Sequence, residues 1–152
     1  MQRWITDRQV AASCANPEDQ PGFPEYAANS RSDIASSTRV TNPGCYAITS
    51  VAMLHPLVQA GLVPADWPVT INAVSGYSGG GKQLIAAFED PASPDHTDEA
   101  FRVYGLGLAH KHVPEIQTWG GLMHRPLFVP SVGRFVQGML VQLPLPSWAL
   151  PD

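Results

Sequence analysis

Fifteen prolines and thirteen glycines punctuate a chain of 152 residues, most of them outside any periodic apolar run. Proline fixes the backbone and removes a donor, glycine frees the backbone, and both end helices and strands. The elements between them must therefore be short, and the loops and turns prominent. A chain of this length suits one domain with one hydrophobic core.

Apolar residues make up 44% of the chain and charged residues 14%, against about 25% charged in an ordinary soluble domain. A surface so short of charge is expected to be covered in part by something else. Nine Lys+Arg against thirteen Asp+Glu give a net charge of −4, which argues against a dedicated nucleic-acid binder with its basic stripe. No apolar run approaches the roughly 18–20 residues that span a bilayer. The opening MQRWITDRQVAAS lacks the apolar centre of a signal peptide. The expected compartment is the cytoplasm, where thiols stay reduced. Cys14 and Cys45 accordingly read as free thiols, one of them a candidate for reactivity.

Residues 14–24 (CANPEDQPGFP) and the Ser/Asp/Arg-rich stretch 29–39 show little periodicity. The first forty residues are expected to be loop or frayed terminus, with a short helix around 7–12 the one candidate element. Organisation begins at Thr41. NPGCY at 42–46 is a turn, and Ile48, Val51, Ala52, Leu54, Leu57 and Val58 then mark one helical face over 47–60. Gly61 and Pro64 stop that helix, and Pro56 predicts a kink. Strands are expected at 69–74, 101–108, 127–132 and 137–145, and short helices at 83–89 and 113–118. Pro114 suits a first helical turn, and Gly120 and Gly121 end that helix. Without a regular βαβ repeat, this order predicts an α+β fold with a mixed, largely antiparallel sheet and helices on one face.

Three features carry chemistry. Cys45 is expected at the mouth of a helix, where the macrodipole and unpaired amides favour a thiolate. Gly44 before it permits close approach. The plain alternative is a buried structural cysteine. His110 and His112, in HKHVPE, could supply the acid/base that such a thiol needs. Two histidines at i and i+2 point to different sides if extended, so one faces a given site. Together with Glu115 they match no established zinc spacing, and no metal is expected. His55, His96 and His124 read as structural or exposed.

The third feature is SGYSGGGK at 75–82. It comes close to a phosphate loop, but Gln83 stands where that motif needs Ser or Thr for magnesium. It reads better as a flexible loop whose amides and Lys82 receive an anion, against the alternative of a glycine-rich turn with no ligand. A dinucleotide fingerprint is absent, since Gly105-Leu106-Gly107 lacks the third glycine.

Taken together, GFPEY at 22–26, NPGCY at 42–46, SGYSGGGK at 75–82, YGLGLAHKHVPEI at 104–116 and PLFVPSVGRFVQGMLVQLPL at 126–145 resemble N-acetyl-gamma-glutamyl-phosphate reductase. The resemblance covers roughly residues 20–150. It implies the C-terminal domain fold shared with glyceraldehyde-phosphate dehydrogenase. It also implies NADPH-dependent reduction of N-acetyl-glutamyl 5-phosphate to the 5-semialdehyde in arginine biosynthesis. By motif, Cys45 would form the thioester and His112 would be the acid/base, with His110 its rival. Asn42, Ser75, Gly76, Tyr77, Ser78 and Lys82 would lie toward the substrate, Gly79, Gly80 and Gly81 toward cofactor phosphates, and Arg134 toward a substrate carboxylate. Homo-oligomerisation through the sheet face is implied as well.

The family's Rossmann domain and C-terminal return segment have no counterpart here. The expected organisation is a poorly ordered segment 1–20 and a substrate and catalytic domain 21–152, inactive in reduction on its own. A silent remnant that dimerises or binds partners, and a Cys/His acyl hydrolase, are the competing readings.

Overall fold

The computed structural model describes residues 3–5 and 19–150. Cys14 and the helix expected at 7–12 lie outside the described residues, as does nearly all of the segment 1–20. The chain divides into two compact units, one formed by 1–69, 111–126 and 145–152, the other by 70–110 and 127–144. No helix of the described residues is long and apolar enough to cross a membrane.

The first unit holds a small parallel sheet, a short polar helix and two longer facing helices. Its strands are β1 (Arg3–Ile5), β2 (Gln20–Pro21) and β3 (Arg39–Thr41), with β3 in the middle. Asp19, buried at the start of β2, takes an ion pair from Arg39 at 2.9 Å, which ties β2 to β3. Helix α1 (Ser30–Ser36) lies where the sequence predicts loop. It is polar and buries only Ser30, whose Oγ accepts a bond from the amide of Ala27 at 2.9 Å. Such a helix is held by local side-chain bonds rather than by an apolar stripe, so periodicity could not reveal it.

Helix α2 (Cys45–Gln59) begins two residues before the expected start and runs through Pro56 to its last turn. Helix α4 (His112–Gly120) ends at Gly121, whose left-handed φ of 76° turns the chain so that the amide of Leu122 reaches back to the carbonyl of Gln117 at 3.0 Å. Pro114 sits in the first turn, where a missing amide costs no bond. Ala47, Val51 and Leu54 of α2 meet Val113 and Ile116 of α4 in the core. A β-carbon on Gly120 would lie 2.9 Å from Leu54, so a glycine there lets the helices approach.

The second unit is a four-stranded sheet in the order β5-β6-β4-β7, with α3 (Gly81–Glu89) packed on it. The strands are β4 (Thr70–Gly76), β5 (Phe101–Val103), β6 (Leu127–Gly133) and β7 (Met139–Gln142). The sheet is mixed, as expected, with two of its three strand pairings antiparallel. The central pairing, β4 with β6, is parallel over seven residues, and only β5 and β7 add antiparallel edges. β6 is a short, mostly apolar run and β4 alternates apolar and polar residues, and neither pattern reports the direction of the neighbouring strand.

Strand β5 stops at Val103 rather than at residue 108, because Gly105 (φ 66°) and Leu108 (φ 55°) turn the chain out of extended geometry. β7 is likewise cut to four residues, preceded by Gly138 at φ 120°. One sheet face carries Ile71, Ala73, Phe128 and Val132, all buried; Val132 clusters with Tyr77 and with Phe88 and Leu84 of α3. The other face carries the row Val103–Ser131–Val74–Leu140, with Phe101 and Leu127 also on it. Phe101, Val103, Leu127 and Leu140 are exposed there. This apolar row accounts for part of the shortage of surface charge.

Candidate active site

Residues 42–46 leave β3, turn, and become the first residues of α2. Asn42 is exposed, Gly44 is the N-cap, and Cys45 is the first helical residue, exposed and carrying a free thiol. Gly44 has φ −61° and ψ 146°, a conformation open to any residue. Space is what requires a glycine here. A β-carbon on it would fall 2.0 Å from Nε2 and 2.2 Å from Cδ2 of His112.

The imidazole that rests on Gly44 is the first residue of α4. His112 is 6% exposed, and Tyr46 meets its ring edge-on at 5.9 Å between centroids. Two helices therefore begin at one place, with the thiol on the first residue of α2 and the imidazole on the first residue of α4. Both helix N-termini favour negative charge there. One turn along α4, Glu115 is also buried, at 4% exposure. A shallow apolar depression, open to solvent, is lined by Glu115 together with Phe23, Tyr26, Pro43, Ile48 and Trp119.

His110 belongs to the second unit. Its ring packs edge-on against Phe128 at 5.1 Å and lies 5.8 Å from the ring of Tyr104. The structure thus sets His112, not His110, on the glycine beside Cys45. Among the described residues no three His, Cys, Asp or Glu side chains are grouped so as to hold a metal ion.

SGYSGGGK is an ordered crossing from β4 to α3 rather than the expected flexible loop. Ser75 and Gly76 end the strand, Tyr77–Gly80 form a 3₁₀ turn, and Gly81 opens the helix. The amides of Gly76, Tyr77 and Ser78 donate to the carbonyls of Gly138, Phe135 and Val136, each at 3.0 Å. Gly81 donates to Ser78, and the 3₁₀ turn closes its own i→i+3 bonds. The glycines have separate packing reasons. A β-carbon on Gly76 would strike the backbone of residues 135–137 at 2.6–2.7 Å, one on Gly80 would strike Leu84, and Gly81 has φ 76°. Lys82 is exposed.

Tyr77 stacks on Phe88 at 4.9 Å and donates its hydroxyl to Glu89 at 2.9 Å. That hydrogen bond, with burial and the charge of Glu89 adding to it, raises the pKa of the phenol, against a smaller opposing effect of Arg134. Arg134 itself donates to the Thr97 carbonyl at 3.0 Å and to Asp98 at 3.1 Å, and lies over the Phe88 ring. The burial of Glu115 and the edge-on approach of Tyr46 to His112 were not expected from the sequence. The i, i+3 spacing of His112 and Glu115 was the legible signal.

Fold and site together define an α+β domain with a cysteine at a helix mouth and a buried imidazole set on its preceding glycine. Residues 45–149 match the family described as semialdehyde dehydrogenase, dimerisation domain, and the chain belongs to that family. It is similar to the N-acetyl-gamma-glutamyl-phosphate reductase of Brucella anthropi, with 55% identity over 130 residues, which is 86% of this chain and 42% of that protein. The enzymes of the same name from Brucella ovis and Brucella canis give the same identity and coverage. The chain thus spans less than half the length of these relatives.

Proposed function

We propose that this chain carries the acyl-transfer half of an N-acetyl-gamma-glutamyl-phosphate reductase, working in the cytoplasm in arginine biosynthesis. The observation that carries the proposal is the seating of His112 on Gly44, directly before Cys45 at the mouth of α2. His112 takes the proton of the Cys45 thiol. The sulfur attacks the carbonyl carbon of the acyl phosphate, the carbon–oxygen bond to phosphate breaks, and inorganic phosphate leaves, leaving a thioester on Cys45. The amides at the mouth of α2 favour the negative charge that develops there. Asn42 borders the turn on the substrate side.

In the full-length enzyme NADPH supplies the hydride that reduces the thioester. The residues described here do not fit a dinucleotide by themselves, because the turn at Gly79–Gly81 spends its amides internally and on the chain before it. No step of this chain is therefore routed through the cofactor. The exposed row around Val103 and Leu140 supports a homo-oligomer formed through the sheet face, in keeping with a dimerisation-domain family.

The test exposes the purified chain to acetyl phosphate and follows intact mass and phosphate release. The expected result is one acetyl adduct that maps to Cys45 and is lost in Cys45→Ser. Phosphate release in turnover without an accumulating adduct would instead indicate an acyl hydrolase. No adduct and no phosphate release would overturn the proposal and favour a non-catalytic domain.

A further inference from the structure

We propose that Tyr46 is a positioning residue for His112, its buried ring holding the Nε2 end of the imidazole against Gly44. This rests on the reading of Cys45 and His112 given above.

His112 opens α4. Helical side chains lean toward the N-terminus and rest on the turn before them, and the first residue has no earlier turn of its own helix beneath it. The last torsion of a histidine is broad and roughly two-fold, so local sterics do not choose which edge of the ring faces Gly44. That choice falls to the groups packed on the ring, and the start of α2 supplies two of them. A β-carbon on Gly44 would fall 2.0, 2.2 and 2.7 Å from Nε2, Cδ2 and Cε1, so the Nε2 end is the part seated on this glycine. Tyr46, two residues on, meets the same ring at 5.9 Å between centroids, with 61° between the planes. That separation lies in the range over which aromatic rings attract edge to face. At 2% exposure Tyr46 is itself packed in the core, and close packing makes its ring a fixed wall. The exposed Cys45 stands in the chain between this wall and the glycine floor. A turn of the imidazole about its last bond is therefore opposed by Tyr46.

The test is the rate of Cys45 alkylation by iodoacetamide as a function of pH, for the unsubstituted chain, Tyr46→Phe, Tyr46→Leu and His112→Gln. Ionisable groups at this end of the two helices are Cys45 and Tyr46 on α2, Lys111 just before α4, and Glu115 within it. Tyr46→Phe and Tyr46→Leu remove the same phenol, so a difference between them reports the ring rather than a titrating group. Tyr46→Leu is expected to move the midpoint upward and to slow alkylation near pH 6.5 about tenfold, the equivalent of one pKa unit. Tyr46→Phe, which keeps the ring, is expected to follow the unsubstituted profile. A Tyr46→Leu profile that superimposes on the unsubstituted one, while His112→Gln is displaced, would reduce Tyr46 to a packing role and overturn the proposal. So would a Tyr46→Phe profile displaced as far as that of Tyr46→Leu. If His112→Gln superimposes as well, the pairing of Cys45 with His112 has failed, and the positioning role fails with it. Should Tyr46→Leu unfold, judged by circular dichroism, NMR cross-relaxation between the rings of His112 and Tyr46 in the unsubstituted chain decides. Contacts from one imidazole orientation are expected, and contacts averaged over two orientations overturn the proposal.

Discussion

The imidazole of His112 fills the space that a side chain on Gly44 would need, with Nε2 2.0 Å from the position of that missing β-carbon. The glycine before the cysteine is thus the floor on which the His112 ring rests. Gly44→Ala forces the ring or the α2 mouth to move. It is expected to cost about 1–3 kcal/mol of stability, the usual range for overpacking, and to lower the rate of Cys45 alkylation near neutral pH. Denaturant unfolding and alkylation kinetics on the same protein check both effects.

Gly76 and Gly79 belong to one short motif but meet different surroundings. A β-carbon on Gly76 would strike backbone atoms at 2.6–2.7 Å, whereas one on Gly79 would meet only Ser75 Oγ at 3.8 Å. Backbone cannot swing aside as a side-chain tip can. Gly76→Ala is therefore expected to cost about 1–3 kcal/mol or more, and Gly79→Ala to stay within about 0.5 kcal/mol. Equal melting temperatures for the two variants would show that the crossing from β4 to α3 is looser than described.

His55 stacks on Tyr26 at 4.1 Å, with Trp119 edge-on to Tyr26 at 5.6 Å. Its Nδ1 is buried without a hydrogen-bond partner, and burial holds its pKa below the ordinary 6.5. The unfolded chain then binds the proton more readily than the folded one. The stability due to neutral His55 is present in full above the unfolded value near pH 6.5 and is lost as pH falls through the lower folded value. Melting temperature is expected to drop between about pH 7 and pH 5 less steeply in His55→Phe than in the unsubstituted chain. Parallel slopes would assign the acid sensitivity elsewhere.

Leu140 is 57% exposed at an edge strand, in register with Val74 and, across it, with Ser131 and Val103. Leu140→Lys is expected to leave the stability of an isolated subunit within about 0.5 kcal/mol, as at most exposed sites, while weakening self-association through the sheet face. Sedimentation over a concentration series checks this. An unchanged oligomer would place the contact on another surface.

Where structure depends on neighbours along the chain, the sequence was a sufficient guide. The apolar period over 47–60 and the paired glycines at 120–121 located α2 and α4 to within about two residues, because helix periodicity and glycine stops are local effects. The cysteine at a helix mouth was legible for the same reason. Helix α1 was not, because its single buried residue, Ser30, leaves no stripe to read.

Tertiary structure decided what depends on partners distant in sequence. Whether β4 and β6 run parallel is set by the path of the intervening chain, not by the residues of either strand. Whether SGYSGGGK holds a ligand or itself depended on the carbonyls of Phe135, Val136 and Gly138, some sixty residues away, which take its amides. The choice between His110 and His112 depended on which ring α4 sets against Gly44. Sequence determined which groups could do the chemistry; packing, which excludes two atoms from one space, determined which of them meet.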